Sequence, residues 1–408
     1  MRYEDMEYLN YKNIIDAIDE IDDPTRAIIA KELELSRTTV SNVVNSLIEN
    51  GIAEETETAK SSRGRPGLKL RVTGSKWFAL GAAFTSDSWS YALVGLDGTI
   101  ADQYTTPSVP NFTPEGLLST LIAGLRFMIT RAKGWILPAI GLGLPGIVDS
   151  EKGAILRVND LGWHSTIDVA GIVERELGYK VYCINRYTTS GLAEYKYSNP
   201  DKEKNMIYIG IGSGIRSAIF VNGTLLTGAT YTAGRIAHLV IDPNGPLCDC
   251  GKRGCLLSLA NDKALHQNAI RIRERDEYSR SIIASLPEDA LTSQAIAELA
   301  DDGDECAMAV MDSIAAPLAR GLSILADVIN PRKIVIGGPI GYSSEYLVGR
   351  IRKNFEIISA DEPYKGLDIE QGRLKEIGAA LGAATLVLQN KAELLYRGPA
   401  SAAYGNIR

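Results

Sequence analysis

A chain of 408 residues with 45% apolar and 23% charged side chains has the make-up of a globular protein of two or three domains, each long enough to bury a core. A net charge of −7 and a pI near 5.3 exclude a protein coated in nucleic acid, and the longest nearly apolar run, 137–148, is too short to cross a bilayer. The acidic start MRYEDMEYLN has no apolar leader, and five cysteines at 183, 248, 250, 255 and 306 are odd in number and bunched, which excludes a secreted disulfide framework; the expected location is cytoplasmic, with no membrane partner.

Residues 1–75 read as a winged helix-turn-helix. DPTRAIIAKELEL, 23–35, predicts a short helix and a tight turn. SRTTVSNVVNSLIENG, 36–51, predicts a second helix with Ser36 as N-cap, Val40, Val43, Val44, Leu47 and Ile48 at helical spacing, and Gly51 as stop. Its opposite face carries Thr38, Asn42 and Asn45, flanked by Arg37 and Ser41. Small amide and hydroxyl side chains on an outward face suit a major groove, with Thr38, Asn42 and Asn45 at base edges and Arg37 and Ser41 at phosphates. The same polar face would also serve a small helical adaptor with no DNA contact.

The segments 51–59 and 67–73 predict two strands around a basic loop. Residues 1–60 hold 14 acidic and 6 basic side chains, whereas 61–76 hold Arg63, Arg65, Lys69, Arg71 and Lys76 and no acid. Within SSRGRPG, Gly64, Pro66 and Gly67 favour a narrow extended backbone from which Arg63 and Arg65 project. Such an arm fits an A·T-rich minor groove; the alternative is a merely solvated loop. The partner implied is a palindromic double-stranded operator bound by a homodimer or tetramer, with half-sites one or two duplex turns apart.

From residue 76 the pattern changes to strands and helices alternating with glycine turns, which predicts an α/β body in two lobes, 76–200 and 201–408, around a cleft. The helix 113–134 has Thr113 as cap, Pro114 in its first turn and Gly134 as expected stop, and the last helix of the chain is expected to return to the first lobe.

Within RIAHLVIDPNGPLCDCGKRGC, 235–255, His238, Cys248, Cys250 and Cys255 are separated by nine, one and four residues. Three thiolates and an imidazole complete a tetrahedral shell closed to water, so a structural Zn2+ is expected there; unrelated buried thiols are the alternative.

The ordered set LSRTTVSNVVNSLIENGI, RGRPG, GLGLPGIVD, the strand ending at Asn185, GSGI, AGRIAH with PLCDCGKRGC, and NPRKIVIGGPIG resembles the ROK family of repressors and sugar kinases over nearly the whole chain. The resemblance implies an actin-like, ribonuclease-H-like two-lobed ATPase-type fold behind an amino-terminal winged helix-turn-helix. It also implies zinc at His238, Cys248, Cys250 and Cys255. The function it implies is a repressor of carbohydrate-metabolism genes with a sugar as effector; the rival is a sugar kinase that carries a DNA-binding domain.

Departures from the family pattern speak against the rival. The family's kinases follow Asn with an Asp that takes the proton from the sugar hydroxyl; here Arg186 follows Asn185, and a guanidinium cannot serve as that base near neutral pH. Ala83, Thr85, Arg216 and Pro339 replace an acid and three glycines of the phosphate loops. Arg235 and Leu257 replace two glutamates of the sugar site. The retained effector candidates are Gly146, Asn159 or Asp160, Asn185 and His238, with Asn185 and His238 the better ones. Arg186, Arg235 and Arg216 bordering one cleft favour an anionic ligand, such as a sugar phosphate or sugar acid, over a neutral hexose, unless they pair with local acids such as Glu194.

Overall fold

The computed structural model describes residues 3–58, 67–108, 113–159, 161–359 and 364–396. Arg63, Gly64, Arg65 and Pro66 of the basic loop, and Asp160, lie outside these residues.

Three helices, Tyr3–Glu20, Arg26–Glu32 and Arg37–Glu49, open the chain, followed by an antiparallel hairpin, Ala53–Thr58 with Leu68–Val72. The helix Arg37–Glu49 starts where its cap dictates, since Ser36 Oγ accepts the Thr39 N–H at 3.0 Å, and its three- and four-residue spacing buries Val40, Val44 and Leu47. Gly51 takes φ +65°, the left-handed turn that sends the chain into the hairpin. The long first helix, which carries no distinctive motif, buries Ile14, Ile15 and Ile18 against the other two.

Two five-stranded sheets follow. The first contains Trp77–Phe84, Trp89–Gly95, Ile100–Thr105, Trp135–Leu144 and Lys180–Asn185; the second contains Met206–Ile211, Ile215–Val221, Thr224–Leu225, Lys333–Gly337 and Asp368–Gln371. In both, the first strand pairs antiparallel with the second and parallel with the fourth, so the order is third, second, first, fourth, fifth. This duplicated topology is the two-lobed, actin-like body expected. The central strands Trp77–Phe84 and Met206–Ile211 are buried along their whole length, as continuous apolar runs covered on both faces should be.

One helix boundary differs from its sequence signal. Pro114–Arg131 ends with Ala132 in an extended conformation, two residues before Gly134. Gly134 is needed for contact rather than as a stop, because a Cβ there would lie 2.4 Å from the Lys76 carbonyl oxygen.

The helix Glu305–Ile329 is apolar and long enough to cross a membrane by composition, but it buries Val310, Met311, Ile314, Leu318 and Leu322 in the core of the second lobe. The helix Ile377–Leu388 crosses back to lie on the first sheet and on the helix Arg186–Tyr197. The short helix Lys391–Tyr396 then packs on Tyr3–Glu20, with the Tyr396 ring 5.3 Å from those of Tyr8 and Tyr11 and Lys391 Nζ ion-paired to Asp19. One apolar cluster therefore runs from Ile14, Val44 and Leu47 through Ala79 and Val94 to Ala380 and Leu395.

Candidate functional site

The outward face of the helix Arg37–Glu49 is held by a contact that sequence spacing does not announce. Arg26, on the preceding helix, donates from Nη1 to Asn45 Oδ1 at 2.8 Å and to the Ser41 carbonyl at 3.2 Å, and from Nε to Glu55 Oε1 at 2.9 Å. One guanidinium thus joins both helices of the turn motif to the first strand of the hairpin. Arg37, Thr38 and Asn42 stand exposed beside it, Ser41 is half-buried, and Asn45, with its oxygen engaged, presents its amide nitrogen.

His238, Cys248, Cys250 and Cys255 come together as their spacing predicts: their ligand atoms all lie within 4.8 Å of one another. His238 closes a 3-10 turn, Ile236–His238, and its Nδ1 is 3.7 Å from Cys248 Sγ, while Cys250 Sγ and Cys255 Sγ are 3.5 Å apart. The loop closes around Gly254, φ +62°, where a Cβ would sit 1.5 Å from the Asp242 carbonyl oxygen. Burial pushes the Cys248 and Cys255 thiols up, and the Lys252 backbone N–H draws exposed Cys250 down. A set of three sulfurs and one imidazole at these separations can hold a metal ion.

Between the lobes lies a cavity of about 130 Å³ lined by Asn159, Asn185, Arg186, Arg216, Arg235 and His238, with the Gly146 turn and Ser213 beside them. His238 thus belongs both to the sulfur cluster and to the cavity wall. Asn185 caps the helix Arg186–Tyr197 by accepting the Tyr187 N–H at 2.9 Å, and its Nδ2 donates to the Gly146 carbonyl at 2.8 Å. Asn185 thus lines the cavity while its amide also fixes the Gly146 turn against the helix.

The three arginines differ in their support. Arg186 donates from Nη1 to the Thr85 carbonyl of the first lobe and from Nη2 to Ser213 Oγ of the second at 3.3 Å, and its guanidinium lies 5.0 Å from the Tyr187 ring centre. Arg216, 9% exposed, donates to Thr188 Oγ1 and to the Ala233 carbonyl, both at 3.1 Å. Burial, with the charge of Arg235 second, brings Arg216 down to about 10. Arg235 is exposed at the rim. Glu194 pairs with none of them; its Oε1 accepts the backbone N–H groups of Arg373 and Leu374 at 2.8 and 2.9 Å, and burial raises its carboxyl above the ordinary range. Ala83 is fully buried in its strand, and Leu257 lines the cavity where a glutamate was expected of a sugar site.

The profile of the ROK family matches residues 84–390. The chain belongs to the ROK family. Among curated ROK relatives it is 27% identical over 372 residues to the xylose repressor of Caldicellulosiruptor bescii, covering 90% of this chain and 92% of that protein. It is 30% identical over 253 residues to the glucokinase of Halalkalibacterium halodurans, covering 62% of this chain and 76% of that one. Among solved structures, a ROK transcriptional regulator described as a homologue of the Escherichia coli MLC protein superposes with a TM-score of 0.80 at 24% identity, over 96% of this chain and 98% of that one, which shows the shared fold. The match to the repressor, at 90% of the chain, necessarily enters the first 75 residues, ahead of the ROK profile itself.

Proposed function

We propose that this ROK protein is a sugar-responsive transcriptional repressor without kinase activity. It binds a palindromic operator as a homodimer or tetramer through Thr38, Asn42 and Asn45 in the major groove, Arg37 and Ser41 on phosphates, and Arg65 of the basic wing 63–66 in the minor groove. Residues 1–75 read the DNA, and the two lobes carry the ligand cleft. The cluster of His238, Cys248, Cys250 and Cys255 holds a structural Zn2+: a tetrahedral shell with Zn–S near 2.3 Å sets its sulfurs roughly 3.8 Å apart, close to the 3.5 Å between Cys250 and Cys255.

The observation that carries the reading is Arg186. It stands where the family's kinases place their catalytic base, and it spans from Thr85 to Ser213, across the two loops that would receive nucleotide phosphates. A permanent cation bridging those loops removes the proton acceptor and occupies the room of a transferring phosphoryl group. Gel shifts of the purified chain on the region upstream of its own gene, run beside an ATP-dependent sugar phosphorylation assay, test the proposal. A discrete, competitor-resistant complex and no phosphorylated sugar are expected; sugar phosphorylation, or indifference to the upstream fragment, overturns it.

A further inference from the structure

Three guanidiniums line one small cavity, and none of the described residues lining it carries a carboxylate. Among the described residues, Arg186 and Arg216 are held by neutral partners: the carbonyls of Thr85 and Ala233 and the hydroxyls of Ser213 and Thr188. Arg235 is exposed at the rim and pairs with no carboxylate among the described residues. An arginine taken out of water ordinarily finds a carboxylate, because leaving its charge uncompensated is costly. Arg216 is almost fully buried, and its nearest strong charge is another cation, which pulls its pKa down. The described lining thus supplies no counter-charge, and an anionic ligand would supply it.

Resting on the reading of this chain as a ligand-responsive repressor, we propose that the inter-lobe cavity takes a sugar derivative bearing an oxyanion, phosphoryl or carboxylate, held by Arg186, Arg216 and Arg235, in preference to a neutral sugar. Guanidinium forks match the paired oxygens of either group, and such charge-assisted bonds are about twice as strong as those to neutral acceptors. The oxyanion therefore competes well for Arg186 against the Thr85 carbonyl and the Ser213 hydroxyl. Those two partners sit on opposite lobes, so engaging the anion loosens a bridge that now ties the lobes together. At about 130 Å³ the cavity holds the anionic head group, and the sugar ring is seated as the lobes part.

Calorimetric titration of the full chain with glucose, glucose 6-phosphate, glucuronate and inorganic phosphate, at constant ionic strength, tests this. Glucose 6-phosphate or glucuronate is expected to bind at least tenfold more tightly than glucose, and the stronger of the two tells a phosphoryl from a carboxylate site. Arg235→Gln, at an exposed position, should weaken that binding tenfold or more while the unfolding midpoint of the ligand-free protein stays unchanged. Equal or tighter binding of glucose, no binding of any anionic probe, or an undiminished affinity in Arg235→Gln overturns the inference. Gel shifts without ligand separate the two readings. An operator complex with no anion binding sinks the cavity assignment alone, whereas anion binding without an operator complex sinks the repressor reading and leaves the site.

Discussion

Glu34 sits at the turn between the helices Arg26–Glu32 and Arg37–Glu49 with φ +53°, a left-handed conformation that a side chain with a Cβ adopts at a cost of roughly 1 kcal/mol. The helix-turn-helix geometry is thus kept without the glycine that would ease it. Glu34→Gly should raise stability by up to about 0.5 kcal/mol in urea unfolding, the relief of strain slightly exceeding the added chain entropy. Glu194 shows a different economy. Its Oε1 satisfies two backbone N–H groups, yet burial raises the pKa of the carboxyl, so the ionised form is the disfavoured one. A carboxyl raised on folding stabilises fully below its unfolded pKa, and that contribution is lost as pH rises through the folded value. Glu194→Gln keeps an oxygen acceptor and has no proton to lose. Its melting temperature should match the wild type near pH 4 and exceed it at pH 8; equal pH profiles would contradict this.

At the scale of elements, the seating of the helix Ile377–Leu388 depends on glycines that let backbones touch. A Cβ on Gly382 would lie 1.8 Å from the Thr189 carbonyl oxygen, and one on Gly141 would lie 1.8 Å from that of Ala383. No rotamer change relieves a clash with main chain, so Gly382→Ala should cost about 3 kcal/mol or more, seen as a fall in the urea midpoint. The loop 238–255 is closed by backbone bonds such as Cys248 N–H to the Lys252 carbonyl, with Leu239 and Ile241 packed on the core while Leu247 is 65% exposed. Cys250→Ser removes one of the four side chains proposed to hold zinc; bound zinc measured by plasma emission should drop from one per chain to near none, with a melting temperature lower by about 5 °C or more.

At the scale of the whole molecule, the amino-terminal helical head and the inter-lobe cavity are joined through one helical path. The helix that begins at Arg186, in the cavity wall, packs on Ile377–Leu388, and the helix after that rests on Tyr3–Glu20. Rearrangement at Arg186 therefore has a contiguous, packed route to the head, the kind of rigid connection through which a shift between two states is passed on. The pair Lys391–Asp19 secures its last step, with Lys391 buried and Asp19 exposed. Lys391→Ala leaves a carboxylate that water can solvate, so it should destabilise the chain by about 1 kcal/mol or less, read as a small fall in the urea midpoint. Because one apolar cluster runs through the head and the first lobe, calorimetry of the wild type should show them melting in a single transition.

The sequence by itself determined what depends on near neighbours. Ser36 and Thr113 cap the helices they precede, the alternation of apolar runs lays out the strands of both sheets, and three cysteines within eight residues with one upstream histidine bring together four side chains able to hold a metal ion. These are set by spacings of one to ten residues, for which helical and extended geometry supply the distances directly. Only the tertiary structure decided the partners brought from far along the chain. Arg26 ties Asn45 to Glu55, Asn185 spends its amide on the Gly146 turn, Arg186 reaches Thr85 and Ser213, and Glu194 receives Arg373 and Leu374. An arginine beside a glutamate eight positions on looks like an ion pair in one dimension. In the fold the glutamate turns to backbone 180 residues away and leaves the arginine in the cleft, because burial assigns each polar group to whichever acceptor the packed lobes bring within reach.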